Sequence, residues 1–332
     1  MVGMSLEQLK AVAAEAGLPR FAAGQMARWL YEKRITGIDE MTDLSRQGRA
    51  RLSEKYTVGR EISKHAAASS DGTVKYLFEG AGGRDVEAVF IPDRDRATLC
   101  VSSQAGCKMN CAFCMTGRQG FHGNLSTAQI INQVLSIPDS ARLTNIVFMG
   151  MGEPTDNIEA VLGAIEVLTA PWGLAWSPKR ITVSSVGNIP RLKELIEKTK
   201  VHIAISAHSP YAEERERLMP VEKAYPLKGV LELLRGYDFA HQRRLSMEYI
   251  VWRGINDDTK HADALARLLK GLDCRVNLIR FHAIPGVNLR PADEGVMTAF
   301  RDRLNGAGIT ATIRASRGED IMAACGQLAG KR

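Results

Sequence analysis

Residues 97–114 read ATLCVSSQAGCKMNCAFC: an apolar β-rich run, a turn at Gly106, then Cys107, Cys111 and Cys114 spaced C-x3-C-x2-C. Three thiolates on one loop behind a strand suit an iron-sulfur cubane. Each holds one iron, and the fourth iron lacks a nearby cysteine because Cys100, Cys274 and Cys325 lie outside the loop. Such an iron has room for a substrate or cofactor. The residues alone leave a zinc knuckle open, with His122 as fourth ligand, although tetrahedral zinc usually draws paired ligands from separate hairpins. Three merely buried cysteines are the blandest reading.

Outward from this loop, apolar β-rich runs at 97–103, 144–150, 180–185, 201–206, 244–251 and 275–281 alternate with helical stretches such as 127–137, 157–168, 226–237 and 260–272. Six such strands with helices between them predict a parallel α/β sheet curled into a full or partial (β/α)6 barrel. A further strand is expected at 308–314. Upstream, 73–79 and 85–92 read as a hairpin around the AGGR turn, and residues 1–58 as a small helical domain with Ser5 as N-cap. The expected units are 1–58, a β-rich connector 59–93, the barrel 94–314 and a mobile tail 315–332.

A length of 332 residues suggests about two domains at roughly 150 each. With 45% hydrophobic and 24% charged residues, disordered and collagen-like classes are excluded. No apolar stretch approaches the roughly 18 residues of a membrane span, and no signal peptide is visible, so a reducing cytoplasm is expected; the chain is separately expected to be a monomer. Net charge +7 favours polyanionic partners.

Polar groups gather where the strands end. Gly152 and Glu153 follow the second strand in MGMGEP; Ser184 ends the third, Ser206, Ala207 and His208 the fourth, and His282 the sixth. Singly, each reads as a cap or a core residue. Together they occupy the face on which barrels build active sites.

The strings EAVFIPDRDRATLCVSSQAGCKMNCAFCMTGRQGF, NIVFMGMGEP, ITVSSVG, AISAHSP, LMP and RASRGEDIMAACGQL resemble the RlmN/Cfr family of radical SAM RNA adenine methyltransferases, most of all its RlmN branch. The resemblance covers nearly the whole chain. It implies a radical SAM barrel behind an RNA-contacting helical domain, with a 4Fe-4S cluster on Cys107, Cys111 and Cys114. It also implies S-adenosylmethionine held by Gly152, Glu153, Ser184, Ser206, Ala207, His208 and His282, two molecules being used per turnover. Cys325 takes a methyl group, and a deoxyadenosyl radical from the second cofactor removes hydrogen from it. The resulting methylene radical adds to C2 of adenine in 23S rRNA, and in tRNA as well. Glu87 accepts the C2 proton, Cys100 forms a disulfide with Cys325, and a reducing electron donor is required. Many members carry Asn where His282 stands. A Cfr-like enzyme acting at C8 shares the cysteines; a zinc-containing RNA-binding protein is the remaining alternative. Arg314, Arg317, Lys108 and Arg118 are expected to guide the RNA backbone, and Cys274 to be structural.

Overall fold

The computed structural model of the chain describes residues 1–239 and 244–330. Helix α1 (Leu6–Glu15) opens on a capping box: Ser5 Oγ accepts from the Gln8 amide, and Gln8 Oε1 from the Ser5 amide. Gly17, at φ 60°, and Pro19 end it. Helix α2 (Ala22–Ala27) runs on through a π turn, and α3 (Arg46–Lys55) starts at Ser45. The apolar faces of this helical region, with Leu9, Met26, Leu30 and Leu52 fully buried, merge with the core of the rest of the chain. Arg60 donates to Leu135 O at 2.7 Å and Arg34 to Ser140 Oγ at 2.9 Å, pinning the region to the next layer.

A ten-stranded sheet forms the body of the molecule. Strands β1 (His65–Ala68), β2 (Val74–Glu79), β3 (Asp85–Asp93) and β4 (Arg96–Cys100) pair antiparallel. A short ladder of β5 (Gln104–Gly106) and β6 (Phe121–Asn124) then brackets α4 (Met115–Arg118) and the cysteine loop. From β4 the sheet continues in parallel through β7 (Asn145–Phe148), β8 (Ile181–Ser185), β9 (His202–Ser206), β10 (Leu245–Val251), β11 (Arg275–Arg280) and β12 (Ala311–Ile313). Parallel neighbours need long crossovers. They are supplied by α5 (Thr127–Leu135), α6 (Ile158–Thr169), α7 (Ile189–Lys198), α8 (Ala212–Leu218) with α9 (Leu227–Arg235), α10 (Thr259–Leu269) and α11 (Glu294–Gly306). Among the described residues no helix is long and apolar enough to cross a membrane.

The barrel is partial. Its sheet does not close, since β1 and β12 are its edges. The connector strands extend the same sheet, so a division between 93 and 94 would cut the β3–β4 hairpin, where Asp93 pairs with Arg96. Residues beyond 314, expected to be mobile, run back from β12 to these hairpins as a hydrogen-bonded strap. Asp320 accepts from Ser69 Oγ (2.5 Å) and the Ser70 amide (3.1 Å), Asp71 from the Gly318 amide (3.0 Å), and Glu87 from the amides of Ala329 (2.7 Å) and Gly330 (3.1 Å).

Arg215, fully buried on α8, ties together the loops that leave β8 and β9. It donates to Ala207 O (3.1 Å), Val186 O (2.9 Å) and Ser206 O (3.0 Å) and pairs with the buried Glu222. Replacing it strands a buried carboxylate and three carbonyls. Arg215→Met should therefore lower the unfolding free energy by about 3–5 kcal/mol in urea titrations.

Candidate active site

Gly106 forms the neck of the cysteine loop. Its φ is 72°, and a Cβ there would lie 1.9 Å from Gly120 O, so only glycine lets the two sides meet. The Cys107 amide closes the neck on Gly120 O at 2.9 Å. The Ala112 amide is tied to Leu218 O (2.9 Å), and the Met115 amide to Gly326 O in the tail (2.8 Å). An apolar cluster that includes Phe113, Met219, Ile250 and Trp252 supports the loop.

Cys107, Cys111 and Cys114 are free and line one cavity of about 160 Å³. Burial pushes the Cys107 thiol up to about 12, Cys111 well above its ordinary value and Cys114 upward; the neighbouring thiols add to each shift. Three buried thiols with this little counter-charge match a cationic cluster, whose coordination deprotonates them. A single zinc ion fits less well. Among the described residues no three His, Cys, Asp or Glu converge on one ion position, and His122 is exposed on β6, away from this cavity.

Around the thiols stand Gly152, Glu153, Ser184, Ser206 and His208. Gly152 has φ 97°, and a Cβ on it would strike Gln104 at 2.5 Å. Glu153 caps the turn after it: Oε1 accepts from the Thr155 amide (3.1 Å) and hydroxyl (2.5 Å), and Oε2 from the Val186 amide (3.0 Å). Ser185 also bonds to this carboxylate, so its roughly four acceptor positions are all engaged and a ligand donor would have to replace one of these partners. Burial raises its pKa. His208, at φ 59°, accepts the Ile250 amide on Nδ1 (3.1 Å), which places its proton on Nε2. Its ring meets Phe113 edge-on at 4.9 Å.

Two expected cofactor residues lie elsewhere. Ala207 does not line this cavity; its amide is spent on Glu248 O (3.0 Å) and its carbonyl on Arg215. His282 lines a second cavity instead, with its ring turned to Ser316 Oγ (3.1 Å) and Glu319 (3.6 Å) in the tail.

That second cavity, of about 580 Å³, occupies the barrel interior toward the strand starts. Cys325 lines both cavities, as do Arg314 and Glu248. Cys100 and Cys325 are both free thiols, so the expected disulfide is not present in this state. Burial first, then Cys325, pushes Cys100 up to about 12, and Arg314 opposes this. Glu87 lines neither cavity: Oε1 pairs with Lys75 at 3.0 Å, and Oε2 clamps the tail amides. Of the basic residues expected to guide RNA, Arg314 instead faces inward. Burial opposes its charge, but Cys325, Glu248 and Cys100 hold it firmly. Arg317 pairs with Asp93 (3.4 Å), Lys108 covers Phe121 and Arg118 lies near Gly286, so the four form no single patch.

Sequence reading missed Glu248. Its Oε1 accepts from Ser246 (2.9 Å) and Asn277 (2.7 Å), while Oε2 is buried without a hydrogen bond among the described residues. A carboxylate in the middle of the run LSMEYIV was the available signal.

Comparison with known proteins bears on this site. Residues 101–266 match the model of the radical SAM superfamily, and residues 1–58 match that of the ribosomal RNA large subunit methyltransferase N-terminal domain. A probable dual-specificity RNA methyltransferase RlmN of Parabacteroides distasonis is 58% identical, covering 99% of this chain and 96% of its own. The dual-specificity RNA methyltransferase RlmN of Alkalilimnicola ehrlichii is 41% identical over 100% of this chain and 94% of its own. The crystal structure of a radical SAM methyltransferase from Sphaerobacter thermophilus superposes with a TM-score of 0.93 at 36% identity, covering 99% of this chain and 98% of that one.

His208 yields a pH test. Burial, and then the Arg215 charge, hold its pKa down at about 3 against an ordinary 6.5. The unfolded chain therefore binds a proton that the folded chain refuses. Stability is fully present above pH 6.5 and falls as pH drops toward 3, at about 1.4 kcal/mol per unit. His208→Asn keeps an acceptor for the Ile250 amide and tolerates the left-handed backbone. Its unfolding free energy should fall by about 2 kcal/mol less than the parent's between pH 7 and pH 5, measured by urea titration at both.

Proposed function

Because the chain belongs to the RlmN family of radical SAM methyltransferases, we propose that it methylates C2 of adenine in 23S rRNA and in tRNA, as a cytoplasmic monomer supplied by an external electron donor. The position of Cys325 carries this reading: one thiol faces both the cavity of the cysteine loop and the larger interior cavity, so it can receive a carbon on one side and deliver it on the other.

Cys107, Cys111 and Cys114 would hold the 4Fe-4S cluster. With S-adenosylmethionine bound, this group supplies both an electrophilic methyl and, on reduction, a radical able to take hydrogen from an S-methyl group. Glu153 would accept from the cofactor's ammonium in exchange for one of its present donors, and Gly152, Ser184, Ser206 and His208 line the same cavity. Arg314 stands beside Cys325, the methyl acceptor, and lines both cavities with it. Cys325 would accept the methyl that the bound cofactor supplies and then present it for activation and addition to adenine, two cofactor molecules being used per turnover. Release would have the adduct lose its C2 proton and its C–S bond break homolytically: the carbon stays on the base and takes up a proton to become a methyl, the Cys100 thiolate joins the Cys325 sulfur radical to form the disulfide, and the one electron left over would return to the oxidised cluster. In the strapped state Glu87 positions the tail. Accepting the C2 proton requires its carboxylate to exchange the Ala329 and Gly330 amides for the base.

Anaerobic reconstitution with mass analysis of the tail and of digested RNA tests the proposal. The parent should contain iron and labile sulfide, carry a methyl on Cys325, and yield 2-methyladenosine. Cys325→Ala should keep the iron and lose both modifications; Cys111→Ala should lose the iron. Glu87→Gln keeps the clamp, so Cys325 should still be methylated while RNA product falls about a hundredfold or more, the share of one acid-base group. An unmodified tail in active enzyme would rule out the relay, and 8-methyladenosine would move the chemistry to C8.

A further inference from the structure

The N-terminal face of a closed barrel is plugged by layered side chains. Here the interior cavity reaches the strand starts, and its rim there carries a set of cations. Arg96 is the first residue of β4, Lys179 lies two residues before β8, Arg244 immediately precedes β10, and Arg275 is the first residue of β11. All four side chains belong to exposed residues that line this cavity. None has a carboxylate within ion-pair distance among the described residues. The other arginines of the cavity are paired: Arg280 with Glu294, Arg314 with Glu248 at 3.6 Å, and Arg317 with Asp93. Burial, and then Arg275 and Arg96, lower the pKa of Arg244, so these guanidinium groups lie close enough to repel one another. An anion seated among them removes that repulsion.

The passage behind the rim suits a nucleotide. Thr98, Asn145, Thr182, Ser246, Asn277 and Thr312 line it and offer donors and acceptors along the strands. Its volume of about 580 Å³ lies within the range of small-ligand sites. It ends at Cys325, whereas the open side of the sheet is crossed by the tail and its hydrogen bonds. A base must leave its stack to be reached at all.

We propose that the N-terminal mouth of the barrel is the entrance for the RNA substrate, with Arg96, Lys179, Arg244 and Arg275 holding the phosphates that flank the flipped adenine. This rests on the RNA methyltransferase reading above and adds the route and the residues.

The test is fluorescence anisotropy of the full-length protein with a labelled RNA stem-loop carrying an unpaired adenine, across a KCl series. The variant Arg96→Gln/Arg244→Gln/Arg275→Gln should bind at least roughly tenfold more weakly, and its log-log salt slope should fall by about 2, three phosphate contacts on a single strand. Arg96→Lys/Arg244→Lys/Arg275→Lys should restore most of the slope. Methylation of Cys325, read by mass without RNA, should be unchanged in both variants. If the parent binds and the glutamine variant matches it in affinity and slope, the entrance is wrong while the RNA reading stands. A lysine variant as weak as the glutamine variant also overturns the proposal, since charge is then not the cause. A parent that binds no RNA defeats the reading beneath it.

Discussion

An open sheet leaves a polar barrel interior without one wall, and the tail supplies that wall. Three carboxylates, Asp71, Glu87 and Asp320, join the tail to the β1–β3 hairpins through backbone amides and a hydroxyl. Further along, Thr116 Oγ1 donates to Leu328 O at 2.7 Å, and the Met115 amide to Gly326 O, so the same segment grips the cysteine loop. The site is thus assembled from both ends of the barrel domain. The two amide bonds to buried Glu87 are hydrogen bonds to a charged acceptor, worth roughly 1.5–3 kcal/mol each, and the buried Ala323 and Leu328 add apolar contact; the exposed bonds of Asp320 contribute less.

Most of the fold was legible because its physics is local. Buried parallel strands read as apolar β-rich runs, and the strands at 145–148, 181–185, 202–206, 245–251 and 275–280 fall inside the runs that the sequence marks. The thiol triad was legible from spacing alone. The strap was not: its bonds join residues nearly 250 positions apart and depend on single amides that leave no periodic trace. Polar pattern at strand ends does not show which groups face the cavity of the cysteine loop. Ala207 spends its backbone on Glu248 and Arg215, and the His282 ring turns toward Ser316, and neither commitment shows in residue type.

Charge inside the barrel is layered. Around the thiols Glu153 and Asp156 are the nearby acids and Arg215 the nearby cation; midway, Glu248 meets Arg314; at the strand starts only cations stand free of partners among the described residues. The two cavities of one lumen therefore differ in charge, with Cys325 where they meet.

A thiol on a segment anchored on both flanks has a short arc of travel. Gly318 and Asp320 fix one side of Cys325, and Gly326, Leu328, Ala329 and Gly330 the other. With the strap in place the sulfur does not reach out to a base in a folded duplex, so on the reading proposed above it is the RNA that must deform. Selectivity among adenines would then depend in part on how cheaply each one unstacks, a property written in the RNA's own secondary structure rather than in any pocket of the enzyme.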